Sequence, residues 1–218
     1  MELLRRTQRV TSLFLRIPGW TGHRAGQHLD VRLTAEDGYR AERSYSIASA
    51  PGDPLVELAV ERLEGGEVSP YLTEEVRPGD ALAIAGPLGG YFVWGAANGG
   101  PLFLIAGGSG IAPLRSIQLA AAASGVPCRL LYSCRAEEDV IYPEAILTLT
   151  RQQPPGWGGY RRRVDAAMLQ EVGWPAAQAP RCYVCGPSGF VESVAADLVA
   201  LGHAPERILT ERFGPTGA

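Results

Sequence analysis

The chain has 218 residues, 46% hydrophobic and 20% charged: enough apolar content for one large domain or two small ones with real cores, and too much for a disordered or fibrous chain. Twenty basic residues against twenty-three acidic ones leave a formal charge of -3 and a pI near 5.7, without the basic excess that nucleic acid or an anionic membrane selects. Every basic residue is arginine and none is lysine, which excludes a lysine Schiff base and a Walker A loop while supplying planar forks for phosphate and carboxylate.

The opening MELLRRTQRV lacks the apolar core of a signal peptide, and no later apolar run reaches the length that spans a bilayer, so a soluble, cytoplasmic chain is expected. Short apolar or alternating runs at 10–17, 28–34, 39–47, 56–63 and 80–86, separated by Pro, Gly and Asp, predict a small antiparallel β-barrel or sandwich. A short helix over 69–76 interrupts them, with Ser69 as its cap, Leu72 and Val76 on one face, and a stop at Pro78 and Gly79.

After the Gly-rich linker at 95–100 the grammar changes to apolar strand, loop, helix. Strands are predicted at PLFLIAGG, VPCRLLYSC, YRRRV, RCYVCG and RILTERF. Helices are predicted at IAPLRSIQLAAAASG, around PEAILTLT, from Asp165 to Val172, and at GFVESVAADLVALG. Continuous apolar strands alternating with helices imply a parallel sheet covered on both faces. The expected architecture is a barrel domain over 1–96 and an α/β nucleotide-binding-type domain over 101–218.

The four cysteines come late, three in apolar strand-like runs, which suits buried thiols in a reducing compartment; Cys182 and Cys185 form a lone CxxC without the second pair a zinc ribbon needs. His23, His28 and His203 show no ligand spacing, so no metal is assigned.

Six groups of residues have the chemistry of ligand sites. Arg43-Ser44-Tyr45-Ser46 ends a strand, with Arg43 and Tyr45 on one face and Ser46 on the other. A guanidinium fork suits a diphosphate, an aromatic lies along a planar ring, and a hydroxyl donates to a ring nitrogen; by itself the stretch is equally an ordinary edge strand. Gly65-Gly66-Glu67-Val68-Ser69 leads into the short helix, either as a plain turn or as backbone amides around an anion. Gly107-Gly108-Ser109-Gly110-Ile111-Ala112-Pro113 follows the first strand of the second half and opens a helix, the place where a dinucleotide pyrophosphate meets a positive helix end. Pro113 stands where the dehydrogenase fingerprint has its third glycine, which disfavours a standard Rossmann dehydrogenase. Cys185-Gly186-Pro187 closes a strand at the carboxyl edge of the sheet, where a small buried thiol is the plainer alternative. Arg135, just past the second strand of this half, with Arg151 and the run Arg161 to Arg163, favours a ribose 2′-phosphate over a 2′-hydroxyl, although Glu137, Glu138 and Asp139 also fit a solvated loop. Tyr91, Phe92 and Trp94 either pack or rim a planar ligand.

In order and spacing, RSYS, GGEVS, GPLGGYF (86–92), GGSGIAP, CGP and the terminal ERF resemble the ferredoxin-NADP reductase superfamily, over nearly the whole chain. The resemblance implies an N-terminal FAD-binding antiparallel β-barrel and a C-terminal NAD(P)-binding α/β domain with a parallel sheet. It places Arg43 on the FAD phosphates, Tyr45 beside the isoalloxazine and Ser46 near its N5. Val60, Glu61 and Arg62 would pass the ribityl chain, and Gly66, Val68 and Ser69 the diphosphate. In the second domain Gly108, Ser109 and Gly110 would meet the NAD(P) pyrophosphate. Arg135, Arg151 and Arg163 match 2′-phosphate ligands, making NADPH the expected donor with NADH possible. Cys185, beside Gly186 and Pro187, would face nicotinamide C4, and Glu211 and Phe213 would complete the flavin site. Ser46, Cys185 and Glu211 are the implied catalytic residues.

Two departures stand out. Plant-type members end on a stacking aromatic, whereas Phe213 is followed by GPTGA. The C-x4-C-x2-C spacing of an iron-sulfur domain is absent. The implied activity is hydride transfer from NAD(P)H to bound FAD, then electron delivery to a separate redox protein such as a ferredoxin or oxygenase component. Two alternatives are a reductase of free flavin and a non-catalytic electron-transfer subunit of a larger complex. Oligomeric state is not legible in the residues.

Overall fold

Alternation builds the first half. In β3 (His28–Thr34), Leu29 and Val31 are fully buried while His28, Asp30 and Arg32 face outward or sideways. The computed structural model describes residues 1–213. β1 (Glu2–Arg5), β2 (Val10–Leu15) and β5 (Val56–Glu61) form one three-stranded antiparallel sheet. β4 (Arg40–Ser46), β3 and β6 (Ala83–Leu88) form the other. The sheets close on Leu13, Leu29, Val31, Ile47, Leu58 and Val60, all fully buried, and an Ile47–Leu58 bridge joins them. Each such side chain contributes roughly 1.5–3 kcal/mol by leaving water.

One end of this barrel is plugged by α1 (Val68–Pro70), which runs into a π-type turn (Tyr71–Glu75) and buries Val68 and Leu72. Ser69 does not cap it: its Oγ accepts a 3.0 Å hydrogen bond from Leu63 N, and Glu67 precedes the helix with no side-chain cap. β1 is an element the periodicity does not predict, because ELLR is short and none of its residues is fully buried.

The second half is a five-stranded parallel sheet in the order β11-β10-β7-β8-β9. Its strands are β7 (Leu102–Gly107), β8 (Cys128–Cys134), β9 (Ile146–Leu149), β10 (Arg181–Pro187) and β11 (Ile208–Phe213). Residues alternate between two cores. Leu102, Leu104, Tyr183 and Cys185 face α2 (Ile111–Ala123) and the barrel. Phe103, Ile105, Cys182 and Val184 face α3 (Ala166–Val172) and α4 (Ser188–Ala200). Cys182 and Cys185 therefore lie on opposite faces of the sheet, and all four cysteines are free.

Two predicted elements change. The expected helix around PEAILTLT is instead the edge strand β9, because Ile146, Thr148 and Leu149 suit pairing with the open side of β8. The expected strand at YRRRV shrinks to a single Thr148–Tyr160 bridge. The Thr148 hydroxyl donates to the Arg162 carbonyl, and the Arg162 guanidinium turns to Asp165, whose side chain caps α3 through Met168 N at 2.8 Å. Among the described residues no helix is long and apolar enough to cross a membrane.

Candidate active site

The sheet order reverses between β7 and β10, and open α/β sheets bind ligands in the crevice beyond the carboxyl ends of strands at such a point. Two glycine motifs meet there. After β7 the chain makes a tight turn, Gly108–Gly110, and enters α2. Gly108 is exposed at φ +56°, with nothing within 4 Å of where a Cβ would stand, and Ser109 is half-buried beside it. Gly110 is closed off: a Cβ would come within 2.3 Å of Cys185 O, so this position packs against the end of β10, and Gly108 and Ser109 are the accessible places of the turn. Gly186 and Gly107 are likewise covered by the Phe190 ring, at 2.9 Å from a Cβ on either. Pro113 sits in the first turn of α2, where a missing N–H costs nothing.

Cys185 pairs with Glu211 across the β10–β11 ladder, and Pro187 pairs with Phe213. The Cys185 thiol is fully buried, and burial together with the Glu211 carboxylate pushes its pKa well above the ordinary value. Among the described residues Glu211 Oε2 is buried without a hydrogen-bond partner, and burial raises this carboxyl to about 7. Phe213 packs half-buried against the same apolar cluster as Cys185, and the GPTGA that follows lies outside the described residues.

On the barrel side, Arg43 is half-exposed and Tyr45 half-buried on one face of β4, close enough for the Arg43 charge to offset part of the burial that raises the Tyr45 phenol to about 12. Ser46 is buried at the end of β4. Gly66 is exposed, whereas the side chains of Val68 and Ser69 are buried. Val60 points into the barrel core, Glu61 lies 3.9 Å from Arg9, and Arg62 is held by Glu74 at 2.7 Å, so these three offer backbone before side chain. Of the aromatic trio, Phe92 packs edge-on against Tyr183 at 5.3 Å and the Trp94 indole donates to Gly99 O at 3.0 Å; both are core, and only Tyr91 remains exposed.

Arg135 and Arg151 are brought together by the β8–β9 pairing, Arg151 N donating to Arg135 O at 2.9 Å. Both side chains are exposed, as is Arg163 on the segment beside β9, and none has an ion-pair partner among the described residues.

Three contributors escape sequence reasoning. Glu67 places a carboxylate 3.8 Å from Arg43 and accepts from the Tyr39 hydroxyl at 3.0 Å; an acid inside an anion-binding loop was the available signal. Phe190 and the Glu57–Tyr142 hydrogen bond carry no local motif at all.

Comparison with known proteins agrees with this layout. The family model for the oxidoreductase FAD-binding domain matches residues 9–93, and that for the oxidoreductase NAD-binding domain matches residues 104–196. The chain is 35% identical over 189 residues to ferredoxin–NADP reductase B of Sorangium cellulosum, covering 78% of this chain and 76% of that one. It is 29% identical to the ferredoxin–NAD(P)(+) reductase component of the naphthalene 1,2-dioxygenase system of Pseudomonas putida, covering 88% of this chain and 61% of that relative's length. The solved FAD/NAD-binding domain of nitric oxide dioxygenase from Vibrio cholerae superposes with a TM-score of 0.86 at 25% identity, over 98% of this chain and 96% of that one. With an FAD-binding barrel followed by an NAD-binding α/β domain, the chain belongs to the ferredoxin-NADP reductase superfamily.

Proposed function

We propose that the chain is an NAD(P)H-dependent flavin reductase that passes electrons to a separate redox protein, with the domains divided at the 95–100 linker. The observation that carries this reading is the half-buried Glu211 opposite Cys185, whose buried Oε2 has no hydrogen-bond partner among the described residues, at the sheet edge where Gly108 leaves open space. An orphaned buried acid is costly without a ligand or proton to answer it. The open Gly108, the cationic Arg43 and the Ser46 hydroxyl at the end of β4 fit a nicotinamide dinucleotide and a flavin at that edge.

FAD, when bound, supplies the chemistry that accepts a hydride and releases electrons one or two at a time. The protein's part is placement. Arg43 neutralises diphosphate charge, Tyr45 flanks the ring system, and Ser46 orients its reactive edge by donating a hydrogen bond. Gly108 and Ser109 admit the nucleotide pyrophosphate to the N-terminus of α2, and Arg135, Arg151 and Arg163 receive a 2′-phosphate, which makes NADPH the preferred donor. Cys185 shapes the nicotinamide pocket, and Glu211, titrating near neutrality, holds or yields a proton there.

The acceptor is a separate redox protein, a ferredoxin or an oxygenase component, as the names of the Pseudomonas and Sorangium relatives suggest. Single-turnover mixing of the FAD-loaded, NADPH-reduced chain with ferricyanide and with a plant-type ferredoxin tests the outgoing half. Rapid reoxidation by both is expected, and a reduced flavin that only dioxygen reoxidises contradicts it. A reductase of free flavin is the second reading, favoured by Glu67 lying against Arg43 where a diphosphate would sit. FAD retained through gel filtration separates the two.

A further inference from the structure

The barrel and the α/β half are joined by a polar clamp that none of the motifs above contains. Glu57, on β5, is buried, and its Oε1 accepts from Arg6 Nη2 at 2.8 Å, Ser12 Oγ at 2.5 Å and Tyr142 Oη at 2.8 Å. Arg6 and Ser12 belong to the barrel, whereas Tyr142 lies 85 residues beyond Glu57, in the connection between β8 and β9. The Tyr142 ring is flanked by two guanidinium groups, Arg6 at 5.1 Å and Arg115 of α2 at 5.4 Å from its centroid. Burial and the Glu57 carboxylate push the phenol well above its ordinary range, so it stays a donor.

The clamp is wired to both ligand-facing ends. Ala48 N donates to Glu57 O at 2.8 Å and Glu57 N to Ser49 Oγ at 3.0 Å, which fixes Glu57 to the segment just after Ser46. Ser49 O in turn accepts from Ser116 Oγ of α2 at 2.7 Å, the helix whose first turn follows Gly108–Gly110. A cavity of about 300 Å³ opens beside the clamp, lined by Arg6, Ser49, Asp53, Arg115 and Tyr142 among others. Tyr142 is itself buried in the apolar cluster shared by the two halves, so packing seats the ring while the hydrogen bond and the two cations fix where its hydroxyl points.

We propose that Tyr142 is a positioning residue for hydride transfer, its bond to Glu57 setting the angle at which the nucleotide-binding half meets the Ser46 edge of the barrel. The proposal rests on the reductase reading above. Hydride transfer is steep in donor–acceptor geometry, so a small pivot at the seam acts on the reactive distance without touching either binding site.

The test uses the full chain loaded with FAD and compares the parent with Tyr142→Phe, which keeps the ring between its cations and removes only the hydroxyl. The limiting rate of anaerobic flavin bleaching at saturating NADPH is expected to fall about tenfold. The long-wavelength charge-transfer band of the stacked nicotinamide and flavin is expected to weaken with it. Affinities for FAD and for adenosine 2′,5′-bisphosphate, a probe of the adenine end alone, are expected to stay unchanged. An unchanged limiting rate and charge-transfer band overturn the positioning role even if the melting temperature drops. Should Tyr142→Phe fail to fold, Ser116→Ala removes another of the bonds across the seam, beside that of the Tyr183 hydroxyl to Val93 O, and carries the same expectation. A parent chain that NADPH does not bleach overturns the reductase reading itself.

Discussion

Glu211 stands directly opposite Cys185 in the β10–β11 ladder, a half-buried carboxyl beside a fully buried thiol, with Oε2 of the acid buried and without a partner among the described residues. The carboxyl titrates near 7 in the folded chain against an ordinary value of 4.5, because burial penalises its charged form. The folded state therefore holds this proton more tightly than the unfolded state. Its stabilising effect is complete below about pH 4.5 and is lost as pH rises to about 7, a swing of roughly 3 kcal/mol. Thermal melts should show Glu211→Gln gaining on the parent between about pH 5 and pH 8. Parallel melting profiles would contradict the assignment.

Glu67 shares Arg43 with the expected diphosphate. Replacing it by Gln frees the guanidinium and removes a like charge, and an exposed pair of this kind is worth about 0.2–1 kcal/mol. Flavin-fluorescence titration should show FAD binding up to about fivefold tighter in Glu67→Gln, with the gain shrinking in high salt. Weaker binding in the variant would show that the carboxylate contacts the cofactor favourably.

Arg135 and Arg151 carry the nucleotide preference if their guanidinium groups meet a 2′-phosphate. Truncating either to Ala should raise KM for NADPH about tenfold, the worth of one charge-assisted bond, and leave KM for NADH where it was. Equal losses with both nucleotides would place these arginines on the shared pyrophosphate.

Two neighbouring glycines should separate folding from binding. Gly110→Ala drives a methyl into Cys185 O, and denaturant unfolding should register a loss of roughly 1–3 kcal/mol or more. Gly108→Ala, at φ +56° in open space, should cost about 1–2 kcal/mol in backbone strain and weaken NADPH binding by crowding the pyrophosphate. Similar stability losses with no effect on nucleotide binding at Gly108 would remove it from the site.

Most of the architecture was legible because it is written in periods. The 28–34 run becomes β3 residue for residue, and the glycine motifs fall at the sheet edge where strand-to-helix grammar puts them. Local pattern fails where tertiary pairing decides. PEAILTLT has a helix's composition, yet β8 offers an open edge and Ile146–Leu149 takes it. Three successive arginines resist burial, so YRRRV contributes one bridge rather than a strand. Ser69 looks like a cap from spacing alone, but Leu63 N reaches it first. The Tyr142–Glu57 bond joins a barrel strand to the connection between β8 and β9 and has no periodicity to betray it. Glu67 was visible inside its motif, but its reach to Arg43 depends on how α1 seats against β4.

The central claim is tested most directly by the visible spectrum of the FAD-supplemented chain under anaerobic conditions, before and after one equivalent of NADPH and, separately, of NADH. The account predicts a protein-bound flavin band that bleaches with either nucleotide and faster with NADPH. A chain that takes up no flavin, or a bound flavin band that neither nucleotide bleaches, would contradict it.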